Sequence, residues 1–245
     1  KSAGFGDMVS KYIALIDWQV SNLLTGESYC ERVAALTRQA TDQIFAMAGR
    51  VTKRDEKTAA AIFESLLLTG IAMSFTKTSR PGSGTEHIMA HFWECMELLD
   101  SKTPNYHGED VGVTTLIMLR YYEALARLPQ VTAHPEICNW DEIYSIYGPL
   151  APDVQKLNTP DTITDGIAPR WIEACWPQIR RIVQSVPSYD ACLAAMRQAG
   201  CKTTIEEVGK APDFVDISFR FHPYMRRRLS LKRVSHMLDL PEDLF

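Results

Sequence analysis

Apolar residues recur at spacings of three and four through the first half of this chain, and nowhere do apolar and polar residues alternate long enough for a strand. That spacing puts the apolar side chains on one helix face and constrains the fold to packed helices. Gly6 to Leu24 places Val9, Ile13, Ile16 and Val20 in this way, and Tyr29 to Ala48 places Val33, Leu36, Ala40, Ile44 and Met47. Asp55 to Thr76, Thr85 to Leu99 and Gly108 to Leu128 predict three more helices. Gly70, inside the first of these, weakens it by about 1 kcal/mol, which suggests close helix packing there. Beyond Pro129 the texture changes, because repeated prolines start or stop shorter helices. Trp171 to Val186, Tyr189 to Ala199 and Leu231 to Leu240 predict helices in that part. The expected fold is all-α, one multi-helix domain over 1–245, with 1–128 regular and 129–245 an irregular helical subregion.

Composition narrows the function. With 46% hydrophobic residues in 245, the chain can bury a substantial core. A net charge of −4 argues against a general nucleic-acid partner. Arg226-Arg227-Arg228 with Lys232-Arg233 is the local exception. Its first reading is a solvated helix end or a salt-bridging face, and its second is a phosphate or domain-interface contact. The six cysteines form no C-x-x-C pair and fall among apolar residues, the pattern of reduced thiols in a cytoplasmic protein. Thr58 to Phe75 is apolar but interrupted by Glu64, Ser65 and Thr69, which predicts a buried core helix and no membrane span. The chain opens on Lys, which suggests a trimmed product.

The chemistry concentrates in Ser79-Arg80-Pro81-Gly82-Ser83-Gly84-Thr85-Glu86-His87-Ile88-Met89-Ala90-His91 and in Tyr106-His107-Gly108-Glu109-Asp110. His87 and His91 are four apart and share a helix face. His107 stands at a loop-to-helix junction. Two imidazoles and an oxygen ligand make an open divalent-metal site, and Asp7 in Gly4-Phe5-Gly6-Asp7 offers the oxygen. Taken alone, Asp7 reads as a helix cap. His91 reads as a proton shuttle, a core histidine or a fourth ligand. Lys11 reads as an orienting group for Asp7, a substrate contact or an ordinary i,i+4 ion pair. Arg80, Ser83 and Thr85 precede the histidine helix, whose N-terminal N–H groups favour a substrate phosphate. Glu86 and Glu109 flank the histidines as supporting groups or helix-start residues. His134, His222 and His236 read as structural or exposed.

Together these segments resemble the sn-glycerol-1-phosphate dehydrogenase family, in the glycerol dehydrogenase-like branch of the metal-dependent alcohol dehydrogenases. The resemblance implies metal ligation by Asp7, His87 and His107, with zinc first and nickel or iron as alternatives. It also implies NAD(P) as cofactor and a small phosphorylated polyol as substrate. In that family an N-terminal α/β domain binds the nucleotide. No glycine-rich loop after a strand occurs here, so the chain reads as the helical, metal-binding half alone, inactive by itself, with its own N-terminal nucleotide-binding domain as partner. Homo-oligomerisation stays open. A dehydroquinate synthase-like cyclase and a non-catalytic helical interaction domain are the alternatives. The half-enzyme reading predicts an exposed apolar rim of Phe5, Met8, Ile88 and Phe92 around the metal face.

Overall fold

A computed structural model describes residues 1–53 and 55–245; 67% of it is helical, and no strand occurs among the described residues. The helices are α1 (Ser2–Val9), α2 (Lys11–Thr25), α3 (Glu31–Phe45), α4 (Glu56–Thr76), α5 (Thr85–Leu99) and α6 (His107–Arg127), followed by α7 (Trp140–Tyr147), α8 (Ala151–Asn158), α9 (Pro169–Val183), α10 (Tyr189–Gln198), α11 (Pro212–Phe221) and α12 (Leu231–Val234). Local chemistry sets many of the ends. Asp55 caps α4 by accepting from Lys57 N at 3.0 Å, and Ser188 caps α10 by accepting from Ala191 N. Gly26 ends α2 in the left-handed conformation at φ 73°. Pro169 and Pro212 open α9 and α11, where a missing N–H costs nothing.

One apolar core draws on both parts of the sequence, with Tyr12, Phe92, Trp93 and Tyr122 meeting Tyr147, Trp176, Leu231 and Val234. α6 runs through its middle, against α1 and α5 on one side and α9 and α10 on others. All six cysteines are free thiols.

Several expectations are corrected. The helix expected from Gly6 to Leu24 is two helices that meet at Ser10, whose hydroxyl donates to Asp7 O at 2.6 Å. The tail helix stops at Val234. After a short 3-10 turn, Asp239 N donates to Thr132 O at 3.0 Å, an extended pairing that no local periodicity announces. Gly70 packs closely against nothing, since a Cβ there would meet open space. The expected rim lies in the core instead, with Phe5 at 0% and Phe92 at 1% exposure. Nor is α4 a buried core helix. It is long and apolar enough to cross a membrane, and only 28% of its most apolar stretch is buried. Phe63, Leu67, Ile71 and Phe75, four residues apart, form an exposed apolar stripe along it.

Candidate metal centre

The cleft that gathers the polar residues has a volume of about 240 Å3. Asp7 and Lys11 line it from α1 and α2, His87 and His91 from α5, His107 from α6, and Leu66, Thr69 and Met73 from α4; Ser79, Gly82 and Ser83 close one side. Glycines decide why segments so distant in sequence meet. A Cβ on Gly6 would lie 2.6 Å from Gly108 O, and one on Gly108 would lie 2.0 Å from Ala3 O. Only paired glycines let α1 and α6 approach backbone to backbone. The residues next to them, Asp7 and His107, are thereby brought side by side.

Asp7, His87 and His107 each offer a ligand atom, and these atoms all lie within 4.8 Å of one another. His87 Nε2 is 3.2 Å from Asp7 Oδ1. On the far side of its ring, His87 Nδ1 is 2.7 Å from Glu86 Oε1. His107 repeats the arrangement, with Nδ1 2.6 Å from Glu94 Oε1. An ionised carboxylate only accepts, so each bond fixes a proton on Nδ1, and for His87 it turns Nε2 towards Asp7. One carboxylate and two imidazoles so oriented fit a divalent ion, with bonds of about 2.0–2.2 Å reached by small side-chain adjustments.

Charge follows the same logic. Burial pushes the Asp7 carboxyl up, but the Lys11 ammonium, bonded to Oδ1 at 2.8 Å, and the hydrogen bond from His87 hold it well below the usual range. Burial and the Lys11 charge push His87 down, yet its bonds to Asp7 and Glu86 carry it above the ordinary value. His91 stacks on His107 with ring centroids 5.2 Å apart, and burial, then the His87 charge, pushes it down to about 4. It is a neutral imidazole at neutral pH.

Glu86 is fully buried; its Oε1 accepts from Gly84 N at 2.9 Å, and its Oε2 has no partner. Asp17 accepts from Thr85 N at 2.7 Å and completes the start of α5. Its own carboxyl is pushed up to about 7 by burial and the nearby Glu86 charge.

Asp7, His87, His91, His107, Lys11 and Ser83 therefore share one cleft. Asp7 sits inside α1 and caps nothing. The other expected phosphate contacts turn away. Arg80, 2% exposed, donates to Glu27 Oε1 at 2.8 Å and to Leu229 O at 2.7 Å. Thr85 is fully buried, with Oγ1 2.9 Å from His222 Nε2. Glu109 pairs with Lys202 at 2.8 Å rather than with His107. Glu94, not singled out in the sequence, takes that place. Its signal was present, since 87, 91 and 94 follow the four-then-three spacing of one helix face.

Fold and cleft define the class: an all-helical domain in which a carboxylate and two anchored imidazoles converge between packed helices. Known proteins similar to this chain carry one name. The chain is 29% identical over 244 residues to a glycerol-1-phosphate dehydrogenase (NAD(P)+) of Geobacillus stearothermophilus, covering 100% of this chain and 54% of that protein. It is 35% identical over 156 residues to the protein of the same name from Bacillus licheniformis, covering 64% of this chain and 38% of that protein. The Bacillus subtilis protein of that name is 27% identical, over 95% of this chain and 50% of its own length. No family model matches the chain. The chain is a homologue of the glycerol-1-phosphate dehydrogenases that matches their C-terminal domain, and it spans about half the length of those relatives.

Proposed function

We propose that this chain is the metal-binding half of an NAD(P)-dependent dehydrogenase interconverting dihydroxyacetone phosphate and sn-glycerol 1-phosphate, acting in the cytoplasm. The observation that carries the reading is the convergence of Asp7 with His87 and His107, each imidazole anchored through Nδ1 by a glutamate. The names of the relatives supply the reaction class. A divalent ion, zinc foremost, supplies Lewis-acid polarisation of a substrate oxygen, and a nicotinamide supplies or accepts the hydride. The residues of this chain do the remaining work. Asp7, His87 and His107 bind the ion. Lys11 holds the Asp7 carboxylate in place through Oδ1. His91, beside both ligand histidines, takes up or releases the proton at the alcohol oxygen. Leu66 and Met73 exclude water from the α4 side of the cleft. Ser83 offers the substrate a polar contact, and the nucleotide is held by an N-terminal domain docked over the cleft.

Metal titration tests the reading. The purified chain is expected to take up one zinc per chain by elemental analysis, and Asp7→Ala, His87→Ala and His107→Ala to lose stoichiometric uptake. Unchanged zinc content in the two histidine variants would sink it.

A further inference from the structure

The arginine run set aside in the sequence divides in two once it is folded. The chain bends at Arg226 and Arg227, where Arg228 N donates to Arg226 O at 2.9 Å. Arg227 turns outward and pairs with Asp161 at 2.6 Å. Arg228 turns the other way. It donates to Ser83 O at 2.9 Å and to Ser79 Oγ at 2.7 Å, both on the loop that lines the metal cleft. Neither Arg226 nor Arg228 has a carboxylate within ion-pair distance among the described residues, whereas Arg80 is bound to Glu27 and Arg233 to Glu136. Arg226 makes no side-chain hydrogen bond among the described residues, and its charge reaches both His91 and Arg228.

A half-buried guanidinium held only by neutral acceptors keeps its full charge and pays for desolvation without a counterion. Burial, then the Arg80 charge, pushes Arg228 down to about 10, still cationic at neutral pH. Guanidinium groups match phosphate oxygens in a forked, charge-assisted geometry. We propose that Arg226 and Arg228, with Ser79 and Ser83, form an anion subsite of the cleft that takes the phosphate monoester end of a small substrate. The proposal deepens the dehydrogenase reading and rests on it for the identity of the substrate. The role first expected of Arg80 passes to residues about 150 positions later in the chain.

Calorimetric titration with inorganic phosphate, on zinc-free and zinc-loaded chain, tests it separately from metal binding. The unaltered chain is expected to bind phosphate. Arg228→Gln, which keeps an amide donor for Ser83 O but removes the charge, and Arg226→Ala are each expected to weaken binding by about tenfold. Arg227→Ala is expected to bind as before, and none of the three to alter zinc affinity. Where Arg228→Gln fails to give the native circular dichroism spectrum, Arg226→Ala carries the test. No phosphate binding by the unaltered chain, or unaltered binding in the folded variants, overturns the proposal. Loss of the metal reading leaves the zinc-free phosphate result standing, so the two can fail independently.

Discussion

Two clusters in this molecule are built from the same three kinds of group, a carboxylate, an imidazole and an ammonium. One is Asp7, His87 and Lys11 in the cleft; the other is Glu136, His236 and Lys232 in the core. His87 has both ring nitrogens engaged, by Glu86 and Asp7, as His236 does, so the clusters differ in the cations around them. His236 has both engaged, Nδ1 by the Tyr224 hydroxyl at 3.2 Å and, more distantly, Glu136, and Nε2 by Lys232 Nζ at 2.7 Å. Arg233 already neutralises the carboxylate at 2.6 Å while lying 4.0 Å over the Tyr224 ring. In the cleft, the guanidinium's place is left to whatever Asp7, His87 and His107 can share. The fixed guanidinium makes the core cluster a structural pin, and its lack makes the cleft cluster a candidate receptor for a mobile cation. Histidine and carboxylate content alone separates neither.

The sharpest way to break the contrast is to remove the fixed cation. Arg233→Met leaves Glu136 buried without its guanidinium, and is expected to cost about 3–5 kcal/mol in a urea unfolding series, with zinc affinity unchanged in the folded fraction. The same pin predicts an acid limit. Burial pushes Glu136 up, but bonds from His236 and the Arg233 charge bring it down to about 2. A carboxyl lowered on folding adds stability above its unfolded value near 4.5 and loses it as pH falls towards 2. Glu136→Gln should therefore flatten that limb of the stability curve; an unchanged slope between pH 4.5 and 2 would refute the pin.

Gly108→Ala should act on the cleft and not on the pin. Alanine favours a helix by about 1 kcal/mol over glycine, but the new Cβ would stand 2.0 Å from a backbone carbonyl that cannot rotate away. The clash prevails, and a net loss of about 1–3 kcal/mol is expected by thermal unfolding, accompanied by weaker zinc binding as Asp7 and His107 separate. Glu94→Gln probes the smallest effect. It removes the charge that anchors His107, and a ten- to hundredfold loss of zinc affinity is expected, about 1.4–2.7 kcal/mol. Unchanged affinity would mean that His107 needs no anchor.

The sequence displays the fold class because helical periodicity is local. Thr85 to Leu99 emerges with both ends as drawn from its apolar spacing and its preceding Gly-rich turn. Ser10 was not legible as a break, since nothing in its neighbours forbids a continuous helix. α7, α8 and α11 lie where prolines obscure any longer pattern. In the cleft, the residues that turn towards one another were legible by type and spacing. Arg80 and Thr85 were not, because whether a side chain at a helix start faces the ligand or the core depends on Glu27 and His222, contributed by distant segments. The same distance hid Arg228 from Ser79 and Ser83.

The crossing of α1 and α6 also bears on how such a chain can drift over generations. Any replacement of a glycine adds at least a Cβ, and at Gly6 or Gly108 that atom meets main chain rather than a yielding side chain. No mutational step from these two positions is mild, so inherited variation there is closed off. The neighbours Asp7 and His107 line the cleft and face no such main-chain barrier. Descendants of this sequence are freer to change which ion the cleft prefers than to move the place where it binds.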